Sequence, residues 1–160
     1  MIEINIPRKH MSVAESTKEF IGNVGRERYY ILDAGAGVKA NKRGVLRATY
    51  VSLDITADYN VSVVGDIHHL PFKDCVFDAV ISTQVFEHLV DPFHACRELH
   101  RVIRLGGEIF VTVPLVWKEH GKPSDFWRFT RHGCHQLLNQ AEFKDIGIIL
   151  EPFILETMDY

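Results

Sequence analysis

The stretch YYILDAGAGVKA, Tyr29–Ala40, constrains this chain more than any other. An apolar and aromatic run, Tyr29–Leu32, meets an acid at Asp33 and then a Gly-x-Gly turn at Gly35 and Gly37. A continuous apolar run closed by a turn reads as a strand buried on both faces. A glycine turn after such a strand lets the backbone approach a ligand closely. Two further apolar runs also end in an acid, TYVSLDI at Asp54 and VSVVGDI at Asp66. In open parallel sheets, ligands gather at the carboxyl ends of the strands. Three acids at three expected strand ends therefore define one candidate site.

The rest of the chain fits that frame. Ser12–Val24 has the apolar spacing of an amphipathic helix. Lys39–Arg47 reads as a short helix, and little lies between the second and third strands. FDAVISTQ is a fourth strand, entered from the polar turn FKDC, where Asp74 and Asp78 read as turn residues. DPFHACRELHRVI has helical spacing, with Asp91 as N-cap, Pro92 in the first turn, and Gly106–Gly107 as its stop. EIFVTVPL is a fifth strand, GCHQLLNQAEF a helix and DIGIILEPF a sixth strand. Strands alternating with helices predict an α/β, doubly wound, mostly parallel sheet with helices on both faces. The chain reads as one domain, 1–160: an N-terminal helical segment (1–28), a core (29–115) and a final part (116–160).

Hydrophobic residues make up 46% of the chain and charged residues 24%, which is a globular balance. The net charge of -3, with no long basic run, argues against non-specific nucleic-acid binding. No apolar run has membrane-spanning length, and the N-terminus lacks a signal-peptide core. Three scattered cysteines suggest reduced thiols and a cytoplasmic setting. The tightest histidine group, His132, Cys134 and His135, lacks a second ligand pair at zinc spacing, so no metal is expected.

GAGVKA also fits a dinucleotide fingerprint through Gly35, Gly37 and Ala40, with Asp54 at the distance of a ribose-binding acid. An NAD-dependent oxidoreductase is therefore one reading. Against it, a carboxylate at Asp33 beside the loop repels a pyrophosphate, which wants bare N–H groups. S-adenosylmethionine has no phosphate and carries a sulfonium and an ammonium, which favour nearby acid. Asp54, with Ile55 beside it, can accept from both ribose hydroxyls. Asp66 can accept from the adenine amino group, with the Ile67 backbone alongside.

In ILDAGAG, YVSLDI, VVGDIHHLPFKDCVFDAVISTQVFEHLVDP, ELHRVIRLGGEIFVTVP and EHGKPSDFWRFT, in this order, the chain resembles a class I S-adenosylmethionine-dependent methyltransferase of the small type 11 group. The resemblance covers roughly Tyr29–Phe143. It implies a Rossmann-like sheet with the cofactor across its carboxyl edge. It also implies methyl transfer to an acceptor bound above, with S-adenosylhomocysteine as product. Asp33, Gly35, Ala36 and Gly37 match the glycine loop, and Asp54 the ribose acid. Asp66 and Ile67 match the adenine site, Ser82–Gln84 the methionine side, and Glu87–His88 the acid–histidine pair. Lys39 and Leu105 depart from the usual pattern, and the family's closing C-terminal hairpin looks clipped.

Methyl transfer from a sulfonium needs alignment and exclusion of water more than a fixed catalytic group. VPLVWKEHGKPSDFWRFT is the acceptor segment that the resemblance implies. His120 and Asp125 are candidate bases, and Trp127 and Arg128 candidate acceptor contacts. A structural alternative packs the aromatics of DFWRFT and pairs Arg128 with Asp125. His88 is a candidate for the cofactor pocket. A small-molecule acceptor is expected, with no nucleic acid and no membrane. A homodimer is the hypothesis that an open sheet edge suggests. A cofactor-binding scaffold without turnover is the remaining alternative.

Overall fold

The computed structural model describes residues 12–24, 28–38 and 48–148. Five strands, β1 (Tyr30–Ala34), β2 (Thr49–Asp54), β3 (Val63–Val64), β4 (Phe77–Thr83) and β5 (Ile103–Thr112), pair in parallel in the order β3-β2-β1-β4-β5. Leu32 sits opposite Val51 on one side and Val80 on the other. The chain moves outward from β1 to β3 and then crosses back to β4, so the strand order reverses between β1 and β4. That reversal opens a crevice at the carboxyl edge.

Helices cover both faces. The helix α1 (Val13–Val24) begins with a capping box: Ser12 N–H donates to Glu15 Oε2 at 2.8 Å, and Glu15 N–H donates to Ser12 Oγ at 3.3 Å. It buries Ile21 against Ile31, Ala79 and Ile81. The opposite face carries the larger core, in which Leu32, Leu53 and Val80 meet Ala95, Cys96, Leu99 and Val102 of α2 (Pro92–Val102). Asp91 caps α2 by accepting from His94 N–H at 2.9 Å. Arg101 of α2 reaches back to Glu98 and Asp74, both at 2.7 Å, and to the carbonyls of Leu70 and Phe72. This clamp fixes the loop that carries Asp66 and Ile67.

Four expectations are corrected. The glycine pair does not stop α2, which ends at Val102 and passes directly into β5. Ile103 is already extended and pairs with Phe77, and the register then jumps to Ala79 opposite Glu108. Gly106 (φ 78°) and Gly107 form this bulge, and a Cβ on Gly107 would lie 2.8 Å from the Asp78 carbonyl. Asp78 is no turn residue: it is buried inside β4, accepts from Tyr30 N–H at 2.8 Å and pairs with Arg104. The last helix, α3, spans Arg131–Gln140 because Thr130 caps it earlier than expected, and Glu142 is left-handed (φ 68°) just beyond it. Residues 145–148 form no strand. The rest of the expected sixth strand, and the helix expected at Lys39–Arg47, lie outside the described residues. Among the described residues, no helix is long and apolar enough to cross a membrane.

Candidate functional site

The glycine loop leaves β1 and is tied to the end of β2. Gly35 and Ala36 N–H both donate to the Leu53 carbonyl, at 2.9 and 3.0 Å. Gly37 N–H donates to Asp54 Oδ2 at 3.0 Å, and Thr56 N–H to Asp54 Oδ1 at 3.1 Å. Both glycines are left-handed, with φ of 79° and 55°. Their empty faces differ. A Cβ on Gly35 would lie 2.5 Å from Val85 Cγ2, whereas one on Gly37 would meet nothing within 4 Å among the described residues. Gly37 thus opens on space beside a carboxylate whose oxygens keep lone pairs for further donors.

Asp54 borders that space from the end of β2, and Asp66 lies two residues beyond β3. Asp66 takes both His68 N–H at 2.8 Å and His68 Nδ1 at 2.7 Å on Oδ1, while its side chain stays half-exposed. Ile55 is exposed next to Asp54. The Ile67 side chain belongs to the core, so only its backbone is offered to a ligand.

Asp33 is placed differently from the sequence expectation. It is an interior residue of β1, fully buried, on the face that holds Ile31, and the Tyr50 hydroxyl donates to it. Strand alternation turns it under the sheet rather than toward the loop. Repulsion of a pyrophosphate by an exposed acid therefore does not apply.

On the other side of the crevice, Ser82 Oγ donates to the Ala34 carbonyl at 3.0 Å. Gln84 is left-handed (φ 56°), and its Nε2 donates to Thr112 Oγ1 at 3.2 Å. The 3-10 turn Phe86–His88 follows, and the 113–130 loop folds over it. The Glu87 carbonyl accepts from Phe126 N–H at 2.7 Å and from Trp127 N–H at 3.2 Å. Trp127 Nε1 donates to the Leu89 carbonyl at 2.7 Å. His88 Nδ1 faces the Ser124 carbonyl at hydrogen-bond distance, which ties His88 to the 113–130 loop.

Arg128 and Asp125 form a bidentate pair, at 2.6 and 2.8 Å. The guanidinium beside Asp125 holds its carboxyl well below the usual range, which makes it a poor proton acceptor at neutral pH. Arg128 also donates to the carbonyls of Trp117, Lys118 and Trp127. These two residues, offered by the sequence as base and acceptor contact, thus spend their polar atoms on the loop itself. His120 N–H donates to Asp125 Oδ2 at 2.8 Å, and its ring stands edge-on to His88 with centroids 4.7 Å apart.

Tyr50 was missing from the sequence-derived site, and Glu87 entered it only as the acid of the acid–histidine pair. Glu87 is fully buried against the His88 and His120 rings, and burial pushes its carboxyl pKa up. Tyr50 meets Asp33 through strand packing, for which the sequence carries no local mark.

A family model for a methyltransferase domain matches residues 32–111, from β1 through β5 and half of the chain. The chain belongs to the type 11 methyltransferase-domain family. The methyltransferase domain is 32% identical over 118 residues to a protein of Encephalitozoon cuniculi provisionally described as a methyltransferase, covering 66% of this chain and 53% of that one. It is 35% identical over 98 residues to a demethylmenaquinone methyltransferase of Mycolicibacterium paratuberculosis, covering 51% and 40%. The chain thus spans about half or less of these curated relatives. Its fold superposes on the Haemonchus contortus phosphoethanolamine N-methyltransferase 2, solved with S-adenosylmethionine, with a TM-score of 0.66 and 14% identity, over 81% of this chain and 37% of that one.

Proposed function

We propose that this methyltransferase domain binds S-adenosylmethionine in the crevice between β1 and β4 and transfers its methyl group to a small-molecule acceptor held under the 113–130 loop. The observation that carries this reading is the glycine loop: Gly37 opens on free space while its N–H is fastened to Asp54. When bound, the cofactor supplies a methyl already activated by a positive sulfur. The chain's own part is to bind, orient and exclude water.

In this reading Asp54 receives the ribose hydroxyls through its spare lone pairs, with Ile55 beside it. Asp66 and the Ile67 backbone receive the adenine. Gly35, Ala36 and Gly37 approach the cofactor with their backbone, and Gln84 faces its methionine end. The 113–130 loop, pinned to Glu87 and Leu89, roofs the acceptor with Trp127. Where an acceptor must lose a proton, the titratable groups at hand are Glu87, His88 and His120, which stand together under that roof.

Calorimetric titration with S-adenosylmethionine, S-adenosylhomocysteine and NADH in parallel tests this reading. Binding of the first two without NADH is expected. Binding of NADH alone, or of none, overturns it.

A further inference from the structure

Glu87 is fully buried, yet no other residue among those described hydrogen-bonds either of its carboxylate oxygens. Such a group is costly unless something of opposite charge meets it. His120 Nε2 lies 3.8 Å and His88 Nε2 4.0 Å from Glu87 Oε1. Both separations are too long for hydrogen bonds.

The far sides of the two rings fix which nitrogen is free. His88 Nδ1 faces the Ser124 carbonyl, which can only accept, so Nδ1 carries the proton. His120 Nδ1 faces the Lys118 carbonyl at 3.2 Å and Asp125 Oδ2 at 3.3 Å, again acceptors. Each neutral ring therefore presents an Nε2 lone pair toward Glu87. An ion pair with either ring doubly protonated would leave the N–H short of hydrogen-bond reach at 3.8 or 4.0 Å.

We infer that Glu87, His88 and His120 bind a divalent transition-metal ion between them. Their donor atoms all lie within 4.8 Å of one another. Donors around a tetrahedral zinc at ~2.0–2.2 Å stand roughly 3.3–3.5 Å apart, so side-chain rotations that bring the farthest pair together by up to about 1.5 Å close the site. Two imidazoles and one carboxylate suit zinc and its neighbours rather than magnesium or calcium. The outer partners are those that metal-bound histidines usually have, a carbonyl on His88 and a carbonyl and carboxylate on His120. Gly121 belongs to the same construction: a Cβ there would lie 2.8 Å from His88 Cε1.

Three protein ligands leave positions for water or an oxygen donor. The partly exposed edges of His88 and His120 give access to them. The site lies past the carboxyl ends of β4 and β5. Sequence reading expected no metal, having weighed only His132, Cys134 and His135; His120 is far from the Glu87–His88 pair in sequence, and only the loop fold brings it in. The inference stands on this cluster alone and does not depend on which methyl donor is bound.

The test is a titration of the chelator-stripped chain with Zn2+ by calorimetry and with Co2+ by visible absorption. One ion per chain is expected, with a cobalt spectrum of low-symmetry nitrogen and oxygen ligation. Glu87→Gln, His88→Ala and His120→Ala should each weaken binding about tenfold or more. His132→Ala and His135→Ala, on α3, should leave it unchanged. Absence of stoichiometric binding, or binding that survives both Glu87→Gln and His120→Ala, overturns the inference. Circular dichroism checks the fold of each variant, and if Glu87→Gln does not fold, the partly exposed His120→Ala decides. Failure here with intact S-adenosylhomocysteine binding would sink the metal site and leave the methyltransferase reading standing.

Discussion

Asp125 and Arg128 meet as two parallel hydrogen bonds, Nη1 to Oδ1 at 2.6 Å and Nη2 to Oδ2 at 2.8 Å, across only three residues. The same guanidinium reaches the carbonyls of Trp117 and Lys118, so one side chain ties the start of the loop to its end. Both tryptophans of the chain, Trp117 and Trp127, lie in this loop. Arg128→Ala should therefore shift tryptophan emission to the red and raise quenching by iodide, with the far-ultraviolet dichroism unchanged. Because the Asp125 pKa is lowered in the fold, its contribution is present above the ordinary carboxylate range and is lost as pH falls through the folded value. The parent's emission should move toward that of the variant in strong acid. An emission spectrum indifferent to Arg128→Ala would show that the pair does not hold the loop.

Glu87 gives the opposite pH signature. Its pKa is raised, first by burial, against the attraction of His88, His120 and Arg128. In chelator, the folded state holds the proton more tightly than the unfolded chain does. That advantage is complete below the unfolded value near 4.5 and disappears as pH rises through the folded value. Glu87→Gln has no such loss, so its stability relative to the parent should grow as pH rises from about 4.5 to the folded value and level off above it. Urea melts across a pH series check this, and parallel curves for the two proteins would contradict it.

Much of the fold was legible because its signals are local. Apolar runs and their closing turns mark β1, β2, β4 and β5, and Asp91–Pro92 and Ser12 with Glu15 mark the starts of helices. What the sequence hid is set by pairing between distant segments. The bulge that seats Gly106–Gly107 in β5 depends on Asp78 across the sheet. The burial of Asp33 depends on which face β1 turns inward, and the Glu87–His88–His120 grouping depends on the path of the 113–130 loop. The glycine turn and the acids at Asp54 and Asp66 were readable, since they sit at strand ends where sequence order and spatial order coincide.

Tyr50→Phe should isolate the contact beneath the sheet. It takes the Tyr50 hydroxyl away from a buried Asp33 and should cost about 1–3 kcal/mol, the usual cost of removing a partner from a buried polar group. Urea denaturation measures it, and a change within about 0.5 kcal/mol would mean that the hydroxyl contributes little to stability.

Asp54→Ala removes the acceptor of both Gly37 and Thr56 N–H. It should weaken S-adenosylhomocysteine binding by ~1–3 kcal/mol. Calorimetry gives the number directly, and binding equal to the parent's would remove Asp54 from the ribose assignment.

Gly107→Ala addresses the bulge. Its Cβ would press on the Asp78 carbonyl at 2.8 Å and on Ile103 Cγ2 at 2.6 Å, and the carbonyl cannot swing aside without breaking the β4–β5 pairing. A loss of ~1–3 kcal/mol is expected in the same melts. Gly22→Ala, where a Cβ meets nothing within 4 Å, is the control that should not destabilise.

The 2.5 Å gap between the missing Cβ of Gly35 and Val85 Cγ2 has a mechanical meaning. Val85 leads straight into the turn that carries Glu87 and His88. The two loops therefore mesh like gear teeth, with no slack for a single methyl group. A side chain at position 35 would have to push on the residue that leads into the acid–histidine turn, so the spacing of the two loops depends on that glycine.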